Sequence, residues 1–539
     1  IEYRNEFTMN IAANKLNFFG ESLMNHFRHS KGPGNFVLNA NDSEKSEADQ
    51  ISTEPAGASL QNQLASNAVL PSGSDVKPIQ QPENNPVDPG SPVETPAPAE
   101  TSSTLVPGNP FIYISEKYPF LHEEKTPDLL VPFFKPAEKE PSIVFIVVES
   151  LGRAYSGKDA YLGSFTPFLD SLMDQSLYWE NCLSTSGRTF SVLPSLLASL
   201  PFGEKGFADL KDKMPDHLSM VNLLKKNAGY TSSFYYGGDT KFDDMGPFMK
   251  HQGATKIVGI RDFGKDYQQL PANSGGFTWG YGDREIFRKY LSDLKSNETG
   301  KRIDVILTLA MHSPFKVPNQ EYYNNLVEKR MTAISLSEKD KENNRKYIPQ
   351  FASILYFDEA LKYFFAEYSK LESFSNTIFV ITGDHRMPEI PISTQLDRFH
   401  VPLVIYSPLL HRGQKFSSVV THFDVAPSLL TLLKNRLNIS LPSVSSWIGH
   451  GLDTNVSFRN LNSYPLMRNT TQLIDFISGD HLLSGSTLYR IYPSMDIEPV
   501  SNQELSEQIG KQFSNYKAKN NFATQGNQVI PDSLKQYIQ

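Results

Sequence analysis

A single cysteine, Cys182, stands in a chain of 539 residues. No internal disulfide is therefore available, and cysteine usage says nothing of the redox compartment. The chain also lacks any apolar run near the ~18 residues needed to cross a bilayer, and it lacks a secretory leader pattern. Basic residues are not in excess: the net charge is −8, which leaves no electrostatic footprint for nucleic acid and excludes it as an expected partner. Between Phe36 and Phe111 there is no aromatic residue, and Pro, Ser, Asn, Glu and Ala dominate. Such a stretch buries too little apolar area to offset its ordering entropy, so 36–107 is predicted to be a disordered linker. Residues 1–35 differ. Met9, Ile11, Leu16, Phe18, Phe19, Leu23 and Phe27 predict an amphipathic helix that lies on a membrane or packs on the body of the protein.

The body begins with a short β-branched run, Ile143-Val144-Phe145-Ile146-Val147-Val148, that leads straight into Glu149-Ser150-Leu151-Gly152. A run of this kind reads as a strand buried on both faces inside a parallel sheet. Ligands of open α/β sheets bind beyond the carboxyl ends of the strands, so Glu149 is either a metal ligand or the cap of a following helix. A second strand, Thr377-Ile378-Phe379-Val380-Ile381-Thr382, ends in Gly383-Asp384-His385-Arg386. Asp384 and His385 offer one carboxylate oxygen and one imidazole nitrogen, a pair suited to Zn²⁺ or Mn²⁺. Between them, Thr185-Ser186-Gly187-Arg188-Thr189-Phe190-Ser191 opens an apolar helical stretch that Pro201 closes. Thr189 is thus placed at a helix N-terminus, either as a cap or as a hydroxyl that a neighbouring metal activates as a nucleophile.

Strand-ending Val-Glu-Ser, a Gly-x-Thr turn and strand-ending Gly-Asp-His, in this order and spacing, resemble the alkaline-phosphatase/sulfatase superfamily. The likeness spans about 109–433. It is strongest to the bacterial membrane-bound branch of lipoteichoic acid synthase-like and phosphoethanolamine transferase-like enzymes. It implies one divalent metal, Mn²⁺ or Zn²⁺ with Mg²⁺ as a further candidate, held by Glu149, Thr189, Asp384 and His385, and a covalent phospho-intermediate on Thr189. His312, in a His-x-Pro-Phe context, resembles a substrate-side histidine that binds a phosphoryl oxygen or protonates a leaving alkoxide. Arg188, His400 and Asp239 are further substrate-binding candidates; His400 resembles a histidine that approaches a second metal. His422 and Asp424 read as structural, and Trp279 as either packed or lining the cleft. The implied activity is transfer or hydrolysis of phosphoesters. A sulfuric ester hydrolase and an inactive lipid-sensing regulator are the alternatives.

The chain departs from the lipoteichoic acid synthase pattern at Tyr236-Gly237-Gly238-Asp239-Thr240-Lys241-Phe242-Asp243-Asp244-Met245. Tyr236, Asp243 and Met245 stand where those enzymes carry the His, Trp and Arg that contact glycerol phosphate. Losing a cation there forfeits a charge-assisted bond of about 1.5–3 kcal/mol. Asp239, Asp243 and Asp244 suit an ammonium instead, unless they are a solvated loop. Cys182 lies outside any Cys-x-Pro-x-Arg pattern, which argues against a formylglycine sulfatase.

The expected architecture is α/β: an alkaline-phosphatase-like, mostly parallel sheet flanked by helices. Its strands are predicted at 143–148, 231–236, 303–309, 377–382 and 402–406, with a helix that Thr166 opens and a long one over 345–369. The catalytic domain is set at 108–440. Residues 441–539 are expected to complete it with a small antiparallel sheet and a polar helix over 502–519. The resemblance further implies a phospholipid donor, an envelope glycan or lipid acceptor, and a polytopic membrane domain before Ile1, which places the catalytic domain outside the bacterial inner membrane. A flexible tether of ~70 residues spans roughly 40–50 Å.

Overall fold

The computed structural model describes residues 111–136, 139–295 and 300–538, all within one compact unit. The expectations for the 1–35 helix and the 36–107 linker lie outside the described residues. No helix among those described is long and apolar enough to cross a membrane.

The large sheet is built from β1 (Ser142–Val148), β2 (Leu177–Leu183), β3 (Thr231–Tyr236), β4 (Lys256–Val258), β5 (Arg302–Leu307), β6 (Thr377–Gly383), β7 (His400–Tyr406), β8 (Gln414–Phe416) and β9 (Val420–Thr421). Its order is β9-β2-β7-β6-β1-β5-β3-β4, with β8 also on the outer edge of β2. Central β1 and β6 have every residue buried, as the continuous apolar runs require when both faces are covered. They pair in parallel from Ser142↔Thr377 to Val148↔Gly383, so Glu149 and Asp384 leave the sheet side by side. Gly383 is dictated by this approach: a Cβ there would meet the Leu151 carbonyl oxygen at 2.0 Å.

The strand expected at 402–406 is present but not parallel. β7 runs antiparallel to both β6 and β2, whereas the other neighbours in the sheet are parallel. β2 was not among the expected strands, because Glu180 and Asn181 interrupt its apolar run; Asn181 is held inside by donating to the Ser417 carbonyl at 2.8 Å. Buried charge on β5 is likewise answered in place: Arg302 pairs with Asp304 at 3.2 Å, and Asp304 accepts from Ser233 and Tyr290.

The flanking helices are α1 (Pro167–Met173), α2 (Val192–Ala198), α3 (Met220–Ala228), α4 (Met245–His251), α5 (Asp283–Lys295), α6 (Gln320–Ala333), α7 (Glu338–Arg345), α8 (Ile348–Tyr368) and α9 (Val425–Leu437). α8 starts later than its periodicity predicts, with Pro349 in its first turn, where a missing N–H costs nothing. Past residue 440, β10 (Ser463–Met467), β11 (Leu473–Ser478), β12 (His481–Ser484), β13 (Thr487–Ile491) and β14 (Ile497–Pro499) form an antiparallel meander. Its Leu466, Ile477 and Leu482 share a cluster with Leu183, Leu396 and Phe399 beside the large sheet. The last helix, α10 (Gln503–Gln525), runs further than the expected 502–519 and packs Ile509 and Phe513 on Phe476 and Leu483 of the meander.

Candidate metal centre

Glu149, Asp384 and His385 each place a ligand atom within 4.8 Å of the others, all three buried. The backbone turns sharply to do this: Ser150 sits at φ 58, its N–H donates to Asp384 Oδ1 at 2.7 Å and its hydroxyl to Glu149 Oε1 at 2.8 Å. The Glu149 N–H donates to the Thr308 hydroxyl just past β5, at 3.0 Å. Asp384 Oδ1 accepts a second bond from the His385 N–H at 2.7 Å. The His385 Nδ1 lies 2.8 Å from the Arg386 carbonyl; a carbonyl only accepts, so Nδ1 carries the proton and the Nε2 lone pair faces the carboxylates. Nε2 is 3.5 Å from Asp384 Oδ2 and 3.8 Å from Glu149 Oε1.

The donor set fits a divalent cation. Among the described residues Asp384 Oδ2 is buried without a hydrogen-bond partner, and burial, then the Asp384 carboxylate, push Glu149 well above the usual carboxylate range. Two buried carboxylates and an imidazole lone pair converging on one point favour bound positive charge. Thr189 joins them: its Oγ1 is 3.4 Å from both Glu149 Oε2 and His385 Nε2. It opens a 3-10 turn, Thr189–Ser191, that leads into α2, rather than the helix itself.

The loop after His385 is held by Arg386, whose fully buried guanidinium donates to the carbonyls of Met387, Ile390 and Pro391 and pairs with Asp397 at 3.1 Å. The loop then returns through Arg398, whose side chain lies against Gly187 beside the Thr189 turn.

The remaining candidates are distributed unevenly. Arg188 is half-buried next to Thr189. His312 packs on Trp279 at a tilt of 55°, with ring centroids 4.0 Å apart. His400 is not part of the cluster: its Nε2 lies 2.7 Å from the Glu180 carbonyl, so it donates there, and burial and then Arg153 push the ring down to about 4. Asp239 is exposed, and its carboxylate accepts the Lys241 N–H at 3.0 Å. Asp243 instead faces the cluster. Its turn, Phe242–Asp244, packs against the Thr189 turn, and burial, Asp384 and Asp244 raise its carboxyl to about 7 against the pull of Arg188. Asp243 and Asp244 both lie at positive φ, 49 and 52, a strain of order 1–3 kcal/mol per non-glycine residue that surrounding structure must hold.

His422 Nε2 lies 3.1 Å from the Thr382 hydroxyl, and Asp424 accepts the backbone N–H of Thr421 and of His450. Cys182 is buried on β2, and burial raises its thiol well above the usual range.

Ser150 and Thr308, which fix the orientation of Glu149, were not singled out in the sequence. A serine directly after the strand-ending glutamate was the visible signal for the first. Thr308 carries none, because its link to Glu149 runs between strands.

Two solved structures share this architecture. A protein of the alkaline phosphatase superfamily from Vibrio parahaemolyticus aligns with a TM-score of 0.56 at 19% identity, covering 78% of this chain and 94% of that one. A lipoteichoic acid synthase from Listeria monocytogenes gives 0.53 at 18%, covering 76% and 97%. Among curated proteins, phosphoglycerol transferase I of Salmonella arizonae is 22% identical over 271 residues, 48% of this chain and 33% of that protein. Lipoteichoic acid synthase 1 of Bacillus subtilis is 24% identical over 228 residues, 41% of this chain and 32% of that one. The chain thus spans about a third of the length of the curated relatives it matches. The sulfatase family model matches residues 141–435, more than half of the chain, from the residue before β1 into α9 and including Glu149, Thr189, Asp384 and His385: the chain belongs to the sulfatase family.

Proposed function

We propose that this chain is the catalytic part of a metal-dependent phosphoester transferase that works through a covalent Thr189 intermediate. One observation carries the reading: the Thr189 hydroxyl lies 3.4 Å from both a carboxylate and an imidazole of a buried three-ligand cluster. Glu149, Asp384, His385 and the Thr189 oxygen would hold Mn²⁺ or Zn²⁺. Such a cation lowers the pKa of a coordinated hydroxyl and offsets charge on phosphoryl oxygens.

On this reading Thr189 Oγ1 bonds to phosphorus as the bond from phosphorus to the leaving alcohol breaks. The hydroxyl proton is lost to water, and His312 supplies one to the departing alkoxide. Arg188 binds a non-bridging phosphoryl oxygen. An acceptor alcohol then takes the group from Thr189, returning its proton to the pool. The curated relatives are named for moving phosphoglycerol and for making lipoteichoic acid, which favours a phospholipid donor and an envelope glycan or lipid acceptor. The protein then works at the outer face of a bacterial inner membrane.

The test is cleavage of bis-p-nitrophenyl phosphate and p-nitrophenyl sulfate with added Mn²⁺ or Zn²⁺, in wild type and Thr189→Ala. Cleavage of the phosphodiester that falls by at least ~10³-fold in Thr189→Ala, with the metal still bound, is expected. Undiminished turnover in that variant sinks the mechanism; cleavage of the sulfate alone moves the assignment to a sulfuric ester hydrolase.

A further inference from the structure

At the start of α5 a carboxylate is sealed from solvent and serves a neighbouring turn. Asp283 is fully buried, and its Oδ1 accepts the N–H groups of Leu309 and Ala310 at 2.8 and 2.9 Å. Asp283 Oδ2 has no hydrogen-bond partner among the described residues, and burial raises the carboxyl to about 6 against the pull of those two N–H groups. An aspartate that opens a helix ordinarily caps its own first turn; this one reaches out of α5 to the segment that follows β5. Holding a charge in the interior is costly, and a turn that needed only closing could be closed with a carbonyl or a hydroxyl. The charged acceptor makes two stronger bonds from one fixed point.

The turn that Asp283 grips carries two side chains of the site. Thr308, one residue before Leu309, accepts the Glu149 N–H at 3.0 Å. His312 follows, and its N–H donates to the Leu309 carbonyl at 3.1 Å. Its ring Nδ1 lies 3.2 Å from the Ser313 carbonyl; a carbonyl only accepts, so Nδ1 carries the proton and Nε2 is the atom left to exchange one with a substrate. The ring faces the candidate site: Phe242, in the turn packed on the Thr189 turn, lies edge to face with it at 6.2 Å. The Ser313 carbonyl also accepts Trp279 Nε1 at 2.7 Å. Trp279 and Asp283 bound one short segment that is tied to the sheet. The Tyr281 N–H donates to the Gly237 carbonyl at 3.0 Å, and a Cβ on Gly237 would meet the Tyr281 carbonyl oxygen at 2.0 Å. The His312 turn is therefore gripped at both ends from one reference, Leu309 and Ala310 by Asp283 and Ser313 by Trp279.

We infer that Asp283 is a positioning residue which, with Trp279, holds the His312 ring in the orientation that presents Nε2 to the leaving oxygen of the substrate. This rests on the phosphoester reading of the Thr189 site. In that step the bond from phosphorus to the leaving oxygen breaks, its electron pair stays on the oxygen, and the Nε2 proton of the His312 imidazolium moves to it. Asp283 touches neither the substrate nor the reacting atoms. It acts through the backbone, by keeping the 309–313 turn from relaxing when the His312 ring changes charge. The same bonds hold Thr308, so one carboxylate sets both the candidate ligand Glu149 and the acid His312.

The experiment reads the imidazole nitrogen shifts of the Zn²⁺-loaded chain labelled with 15N-histidine, with His312 assigned through His312→Gln, and the turnover of two phosphodiesters. One is bis-p-nitrophenyl phosphate, whose leaving group departs without a proton; the other is glycerophosphoglycerol, a dialkyl diester whose alkoxide needs one. In wild type, neutral His312 is expected as the single Nδ1–H tautomer. Asp283→Ala should move it to the mixture of tautomers that free imidazole shows. The same variant should lower kcat on the dialkyl diester at least ~100-fold with KM within ~3-fold, and slow the nitrophenyl diester less than ~5-fold. Asp283→Asn keeps an acceptor oxygen in place and should restore His312 and most of kcat. A purely structural loss would slow both diesters alike. An unshifted His312 in Asp283→Ala, an equal fall on both diesters, or Asp283→Asn no better than Asp283→Ala overturns the assignment. Should Asp283→Ala not fold, Trp279→Phe removes the other bond to the turn, and the same outcomes decide. The nitrogen shifts need no turnover, so a wild type that cleaves neither diester ends the Thr189 reading while the spectrum alone decides the positioning of His312.

Discussion

The sheet's functional edge has two halves of opposite character. Beyond β1 and β6, nearly every polar atom is committed: Ser150 bonds both acidic ligands, Thr308 accepts the Glu149 N–H, and the Arg386 carbonyl fixes the His385 ring. Beyond β3 and β5, Asp243 and Asp244 stand at positive φ, Asp243 forms no ion pair among the described residues, and aromatic faces remain partly exposed. The first half suits, on the proposed reading, a reaction, since bond cleavage needs ligand atoms fixed to tenths of an ångström. The second suits, on the proposed reading, a substrate, since a group that arrives from solution must find its partners unoccupied.

The contrast is broken most directly through Arg386. Arg386→Met should destabilise the fold by about 3–5 kcal/mol, because Asp397 is left buried without its cation; urea unfolding measures it. A loss under 1 kcal/mol would mean that the β6 half is not held by this pair. Acid tests the other half. His217 is buried against α4, the helix that follows the Asp243 turn, and burial pushes its ring down to about 4. The unfolded chain takes that proton near pH 6.5 and the folded chain does not, so the stability is present above pH 6.5 and lost as pH falls towards 4. The loss is about 1.4 kcal/mol per pH unit, roughly 3 kcal/mol in all. Denaturation of wild type and His217→Gln across this window checks it: the variant should lack that slope.

Asp384→Asn sharpens the comparison at the metal. It removes a charged ligand atom, and affinity for Mn²⁺ or Zn²⁺ should fall at least ~100-fold; equal metal by elemental analysis in both proteins would show that the ligand set is wrong. Thr308→Val is the mildest test. It leaves the buried Glu149 N–H unsatisfied at a cost of about 1–2 kcal/mol, with metal affinity falling less than in Asp384→Asn, as thermal melts with and without metal would record.

The two halves were also unequally legible in the sequence. The β1 and β6 ends announced themselves because a strand buried on both faces must be continuously apolar, so the first polar residue after it marks the edge. β2 escaped because Glu180 and Asn181 are satisfied by contacts that no local pattern reveals. The direction of β7 escaped because a short buried run reads the same along either direction. Within Asp239, Asp243 and Asp244, composition could not separate a turn-holding carboxylate from one facing the cluster. That distinction lies in φ and in the packing of one turn on another.

The bond from Ser150 to Asp384 spans 234 positions of chain, and this has a consequence for how the protein is made. A cluster whose ligands are so far apart has no precursor in any local segment, because the loop-closure entropy is recovered only once β1 and β6 lie in register. The candidate metal site is therefore complete only once both strands are in place. A cation that binds only there stabilises the completed sheet by mass action, about 2.7 kcal/mol at a free concentration 100 times its dissociation constant. On the proposed reading, metal supply would then bear on the stability of the finished fold as well as on its reactivity.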